Sequence, residues 1–222
     1  MSKNIWEDIY NTRNGKWGDF PPEDLIRFIR RYKIKNKNKK KKIKILELGC
    51  GPGANIKFLK AENFDVYGID ISKRAILEIK KKVLKSSKKN FVVGDFEILP
   101  WKNLYFDGVI DNFSLYANKT DKIKKTYLEV KRVLKKKGFF FSKVWGTKTL
   151  GFNNGIKIEK NTFTNIKNGP CQNMGISHFF TYKELKKFNN TFSKSLIDIN
   201  NYTEKTRSKN YFVEIFISQS FK

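Results

Sequence analysis

Hydrophobic and polar residues change rhythm several times along the chain, and each change marks an element. Pro21-Pro22-Glu23-Asp24 precedes Leu25, Ile26, Phe28, Ile29 and Tyr32. Those apolar positions have helical spacing, and the prolines and acids suit a helix start. Ile43, Ile45, Leu46 and Leu48 form a short apolar run, the mark of a buried strand. Three glycines follow, Gly49, Gly51 and Gly53, and Ile56 and Leu59 resume a helical face. Residues 64–70 predict a second strand, and Ser72 an N-cap for a helix carrying Ile76, Ile79 and Val83. Further along, residues 121–135 predict a helix with Ile123, Tyr127, Val130 and Leu134 on one face. Phe139 to Trp145 is a further strand. Strands alternating with helices predict an α/β fold, a largely parallel sheet covered on both faces with its ligand at the carboxyl ends of the strands.

After Trp145 the rhythm lapses. Residues 146–177 are polar, glycine-punctuated and aperiodic, which reads as a long functional loop. Thr181-Tyr182-Lys183-Glu184 is a capping box, with Phe180 and Leu185 placed as a hydrophobic staple. Residues 195–200 and 211–218 have strand composition and predict a closing antiparallel pair. No internal repeat is visible.

Strand, glycine turn and helix together make a cradle for a small molecule. Glycine lets a ligand approach the main chain, and the amides opening the next helix favour an anionic group. Asp70 closes the second strand about 20 residues after Gly49, the spacing at which an acid accepts bonds from ribose hydroxyls. A nucleoside-containing cofactor is the first expectation. The pattern Gly49-x-Gly51-x-Gly53 differs from the Gly-x-Gly-x-x-Gly of dinucleotide sites.

These residues resemble the class I S-adenosylmethionine-dependent methyltransferases. Glu47-Leu48-Gly49-Cys50-Gly51-Pro52-Gly53 is similar to that family's first motif, and Asp70 matches its ribose-binding acid. Phe91-Val92-Val93-Gly94-Asp95-Phe96 resembles the third strand and adenine-binding turn, and Phe106-Asp107-Gly108-Val109-Ile110-Asp111 the fourth strand. Lys136-Lys137-Gly138 departs from the turn the family usually has before its fifth strand. The resemblance implies a Rossmann-like, doubly wound, seven-stranded and mostly parallel sheet with a final antiparallel strand. It implies one domain over 1–222: an N-terminal helical cap segment (1–33), a cofactor-binding core (43–146), and an acceptor loop with C-terminal antiparallel strands (147–222). S-adenosylmethionine is then the cofactor and S-adenosylhomocysteine the product. The implied cofactor contacts are Trp17, Gly49, Cys50, Gly51, Gly53, Asn55, Asp70, Ile71, Asp95, Phe96 and Asp111. Among them Asp70 would hold the ribose, Asp95 the adenine amino group, and Phe96 the ring. Trp6, Tyr10 and Trp17-Gly18 resemble the family's leading segment over the pocket; packing of these aromatics onto the core is the equal alternative.

Charge changes this picture less than its size suggests. The 222 residues carry a net charge of +26 from 47 Lys and Arg against 21 Asp and Glu. Basic runs at 31–44, 80–89 and 122–137 suit RNA or another polyanion. They also fall on several helices, and the chain is rich in Asn, Ile and Phe, so compositional drift onto solvated faces is the preferred reading. Two cysteines make no disulfide framework, no apolar run reaches membrane length, and the start lacks a signal-peptide core, so a cytoplasmic enzyme is expected.

The acceptor is less legible. Asp111-Asn112-Phe113-Ser114 lacks the prolines of enzymes that methylate exocyclic amines of bases, and Cys171 lies in the polar stretch rather than near the later strands. No His/Cys cluster supports a metal. His178, the only histidine, is the candidate general base on a hydroxyl acceptor, with Tyr116 and Asp111 as further catalytic candidates. The expected reaction is methyl transfer to an O or N atom of a small molecule or glycan precursor. An RNA methyltransferase, or a non-catalytic S-adenosylmethionine-binding regulator, stands as the alternative.

Overall fold

The computed structural model describes residues 2–12, 18, 20–37, 41–83, 85–207 and 211–222. Helices α1 (Ser2–Thr12) and α2 (Glu23–Lys35) lead into a seven-stranded sheet. Its strands are β1 (Lys44–Leu48), β2 (Asp65–Asp70), β3 (Phe91–Val93), β4 (Phe106–Asn112), β5 (Leu134–Trp145), β9 (Lys194–Thr203) and β10 (Phe212–Phe221). Their order across the sheet is β3-β2-β1-β4-β5-β10-β9. The first five are parallel; β10 runs antiparallel to both β5 and β9. The chain order reverses between β1 and β4, the crevice where open α/β sheets hold ligands.

Each sheet face has its own apolar cluster. On one side α2, α3 (Ile56–Ala61) and α4 (Lys73–Lys82) cover Ile45, Val66, Ile110, Phe139 and Phe141. On the other, α5 (Thr120–Val133) and α6 (Tyr182–Asn189) cover Leu46, Ile69, Val109, Phe140 and Val144. The continuous apolar run of Phe139, Phe140 and Phe141, each fully buried, follows from burial on both faces. The expected caps are present: Ser72 Oγ accepts from Ala75 N and Thr181 Oγ1 from Glu184 N. Phe180 and Leu185 meet in one buried cluster.

Two expectations need correction. Helix α5 ends at Val133, short of 135, and β5 starts at Leu134. The unusual Lys136-Lys137-Gly138 forms an irregularity: pairing jumps from Phe106↔Leu134 to Gly108↔Phe139, and Lys137 takes φ +62°. The aperiodic stretch 146–177 is not structureless either. It contains β6 (Ile156–Glu159) and β7 (Thr162–Thr164), and β8 (Ser177–His178) completes a small antiparallel sheet in the order β6-β7-β8. Strands this short leave too few positions for a period of two to show. Their turns rest on Asn153, Asn161, Asn165 and Asn173 at positive φ, and Phe152, Phe163 and Phe179 supply the packing. Among the described residues no helix is long and apolar enough to cross a membrane.

Candidate active site

The site begins where β1 ends. Gly49 and Gly51 take φ +55° and +51°, which bends the chain back across the end of the sheet. A Cβ on Gly49 would stand 2.3 Å from Ser114 Cβ, and one on Gly51 would stand 2.9 Å from the Tyr10 hydroxyl. Glycine is therefore required both by conformation and by close approach. Asp70, ending the neighbouring β2, fixes this turn: its carboxylate accepts from Gly51 N at 2.8 Å and from Ser72 N at 2.9 Å. Burial raises its pKa to about 6; the two amides oppose that rise, and Glu7 adds to it.

Beneath the turn lies Glu47. Asn55 Nδ2 donates to Oε1 at 2.5 Å, while Oε2 is buried without a hydrogen-bond partner. Burial pushes Glu47 up to about 8, opposed by the Asn55 bond and reinforced by Asp70 and Asp111. Asn112, at the end of β4, likewise leaves Oδ1 buried and unpartnered. With Asn55 Oδ1, also buried and unpartnered, three residues of one cavity lining carry acceptor atoms without donors. Helix α1 forms a wall of it through Trp6 and Tyr10, and is held there by Glu7, which accepts from Ser72 Oγ at 2.6 Å and Arg74 N at 3.2 Å. Opposite, past β3, Gly94, Asp95 and Phe96 line the cavity, and Lys122 of α5 pairs with Asp95. About 810 Å³ of space, open solvent at the mouth included, lies between these walls.

Comparison with known proteins agrees with this geometry. Residues 45–138 match a family model described as a methyltransferase domain. An uncharacterized protein of Methanocaldococcus jannaschii is 30% identical over 188 residues, covering 79% of this chain and 69% of its own. Among solved structures, a SAM-dependent methyltransferase from Methanosarcina mazei superposes with a TM-score of 0.63 at 22% identity, over 84% of this chain and 96% of its own. The chain belongs to the class I S-adenosylmethionine-dependent methyltransferases. A Burkholderia thailandensis 1,6-didemethyltoxoflavin-N1-methyltransferase, solved with 1,6-didemethyltoxoflavin and S-adenosylhomocysteine bound, shares the fold with a TM-score of 0.58 at 12% identity, over 93% of each chain. The protein is an S-adenosylmethionine-dependent methyltransferase.

In this methyltransferase the cavity gathers eight of the residues expected from sequence: Gly49, Cys50, Gly51, Asn55, Asp70, Ile71, Asp95 and Phe96. Gly53 lies outside its lining, against Ile56 and Ile79, and Trp17 lies outside the described residues. The three catalytic candidates are not brought to the cavity. Asp111 is fully buried, and its oxygens accept from Ser114 N, Ser114 Oγ, Leu115 N and Ser142 Oγ. It organises the turn after β4 from below. Tyr116 is buried beside Trp145, and burial holds its hydroxyl well above the usual range.

His178 is fully buried in β8, with Nδ1 2.7 Å from Thr162 Oγ1 and Nε2 3.3 Å from Glu184 Oε2. Burial would raise Glu184, but the His178 ring and the Thr181 amide hold it below the usual carboxylate range. This histidine ties the small sheet to α6. Conversely, the candidate list lacks Glu47, Asn112, Phe113 and Lys122, all of which line the cavity. Glu47 stands in the first motif and was legible there; Lys122 is hidden in a run of lysines.

Proposed function

We propose that this methyltransferase acts on a small molecule or glycan precursor, moving the methyl group to an O or N atom inside the cavity walled by α1. The observation that carries the reading is a contrast of charge. In a chain of +26, the described residues that line the cavity include Glu47, Asp70 and Asp95 and a single lysine, itself paired with Asp95. A site built to grip a polyanion would bring cations to its mouth.

S-adenosylmethionine, when bound, supplies a methyl group on an electrophilic sulfonium. The residues present fit it. The turn at Gly49 and Gly51 admits its backbone-hugging portion, and Asp70 accepts from the ribose hydroxyls with the lone pairs its two amides leave. The unpartnered Glu47 Oε2 and Asn112 Oδ1 suit an ammonium donor, which satisfies both buried acceptors. Asp95 takes the adenine amino group, with Phe96 against the ring. Catalysis then rests on orientation, which supplies on the order of 7–11 kcal/mol in well-aligned systems. Because His178, Tyr116 and Asp111 lie outside the cavity, none is assigned as a base, and an acceptor nitrogen carrying a free lone pair suits the site best. In this reading the 222 residues form one methyltransferase domain with 1–33 as its cap, working in the cytoplasm.

Calorimetric titration of S-adenosylmethionine and S-adenosylhomocysteine into the wild-type and Asp70→Ala proteins tests the cofactor assignment. Micromolar binding lost in the variant is the expected result, and equal binding by the variant would remove Asp70 from the ribose. Salt-sensitive RNA binding with RNA turnover would overturn the small-molecule reading.

A further inference from the structure

Forty-seven basic residues decorate this protein, and compositional drift explains them as solvated surface. Lys143, buried against Asp24, and Lys122 do not fit that account, and of the two Lys122 stands at the cavity. Among the described residues, Lys122 is the only lysine or arginine lining the cavity. It sits in the first turn of α5, where the helix dipole disfavours a cation. Its ammonium pairs with Asp95, whose other oxygen accepts from Glu97 N at 3.1 Å, and it lies 5.5 Å from the centre of the Phe96 ring. The helix end that carries it is itself anchored: Glu159 of β6 accepts from Thr120 N at 2.6 Å and Thr120 Oγ1 at 2.7 Å. An unfavourable position is thus held by a deliberate-looking set of contacts.

We infer that Lys122 is a positioning residue that fixes the Asp95 carboxylate as an adenine-selective acceptor. The inference rests on the proposed placing of adenine at Asp95 and Phe96. Even with these contacts in place the Asp95 side chain is 36% exposed, so without them it is free to turn into solvent. Held from one side by the Lys122 ammonium and from the other by the Glu97 amide, the carboxylate presents its remaining lone pairs in a fixed direction. A carboxylate so held accepts from a 6-amino group and repels a 6-oxo group. Lys122 therefore sets the discrimination between adenine and hypoxanthine as well as affinity.

The experiment titrates S-adenosylhomocysteine and its 6-oxo analogue, in which hypoxanthine replaces adenine, into wild-type, Lys122→Met, Lys122→Arg and Asp70→Ala proteins. Lys122→Met is expected to bind S-adenosylhomocysteine on the order of tenfold more weakly and to show a smaller preference for it over the analogue. Lys122→Arg, which keeps a cation at that point, is expected to restore the preference. Because the side chain is partly exposed, the variants are expected to fold. An unchanged preference in Lys122→Met, whether affinity falls for both ligands alike or not at all, overturns the inference. Asp70→Ala separates the two claims: undiminished binding there overturns the cofactor placement itself, whereas lost binding there with an unchanged preference in Lys122→Met overturns the role of Lys122 alone.

Discussion

The carboxyl ends of β1, β2 and β4 and the small sheet β6-β7-β8 use polar residues in opposite ways. At the strand ends, acceptors are left open: Glu47 Oε2 and Asn112 Oδ1 are buried without donors, and both face a cavity. In the small sheet, polar side chains turn toward one another instead of toward a cavity. Glu159 takes three donors from Thr120 and Thr162, and Thr162 also meets His178, which faces Glu184. A buried polar group without a partner costs stability, so the first arrangement persists where a ligand completes it. The second is held from within, with His178 Nε2 and Glu184 Oε2 meeting as an ion pair rather than a hydrogen bond and Ser177 Oγ left without a hydrogen-bond partner. The difference teaches that a lone histidine is a poor guide to chemistry, and an orphaned acceptor a better one where it lines a cavity.

The sharpest way to break this contrast is at the glycine turn. Gly49→Ala adds a Cβ 2.3 Å from Ser114 Cβ at a φ of +55°. Overpacking and the left-handed strain together should cost about 3 kcal/mol, and S-adenosylhomocysteine binding should fall more than a hundredfold. Denaturant melts and calorimetry on one preparation measure both. Wild-type affinity in a folded Gly49→Ala protein would mean that the turn does not touch the cofactor.

His178→Ala probes the closed network. Its loss leaves Thr162 and Glu184 facing a cavity beside Phe180, whose ring meets the imidazole edge-on at 4.5 Å. Thermal stability should drop by about 2 kcal/mol with cofactor affinity unchanged. Activity retained at a temperature where the variant is folded would complete the argument. A collapse of turnover at wild-type stability would instead restore His178 as a catalytic group.

Glu47→Gln separates the cost of an open acceptor from its use. The folded pKa, about 8, lies above the ordinary 4.5, so between those values the folded protein holds a proton that the unfolded chain has released. Stability therefore declines as pH rises through that window, and Asp70, raised to about 6, adds the same sign over its lower part. Glutamine does not ionise, so the variant should gain on the order of 1 kcal/mol at pH 7 and lose most of that slope. Affinity should move the other way. An ammonium favours the ionised Glu47, so wild-type binding should tighten toward pH 8, and the glutamine variant should bind roughly tenfold more weakly without that trend. A variant both less stable and equally avid would show that Glu47 is structural.

How much of this was legible before the fold follows from the same contrast. Glycines, the acid closing β2, and Gly94-Asp95-Phe96 occupy fixed offsets from apolar strands, so the resemblance to the family's motifs, carried over residue by residue, places eight cavity residues. Pattern places Asp111 at the end of β4 but not the direction of its carboxylate, which turns down onto Ser114 and Ser142. Lys122 resembles every other lysine until α5 is packed against β3's turn. The β6–β8 sheet has strands of four, three and two residues, too short for alternation to register, and its polar side chains look like loop because they bond to one another.

The smallest effect expected is at Glu159, where the two regions meet. Lys119, the N-cap of α5, makes no side-chain capping bond, and Glu159 supplies the missing acceptor from another element. Burial alone would raise its pKa, but the Thr120 amide and hydroxyl hold it below the usual range. A depressed carboxylate contributes stability above its unfolded pKa and loses it as pH falls through the folded one. Glu159→Ala should therefore cost about 1 kcal/mol at pH 7, a difference that shrinks in acid as the wild-type carboxylate is protonated. Because α5 carries Lys122 two residues beyond Thr120, fraying of its first turn should also loosen Asp95 and weaken S-adenosylhomocysteine two- to threefold, roughly the effect of a few tenths of a kcal/mol. Calorimetry at pH 7 reads that coupling. A stability loss with no change in affinity would mean that the small sheet supports the fold without steadying the cofactor site.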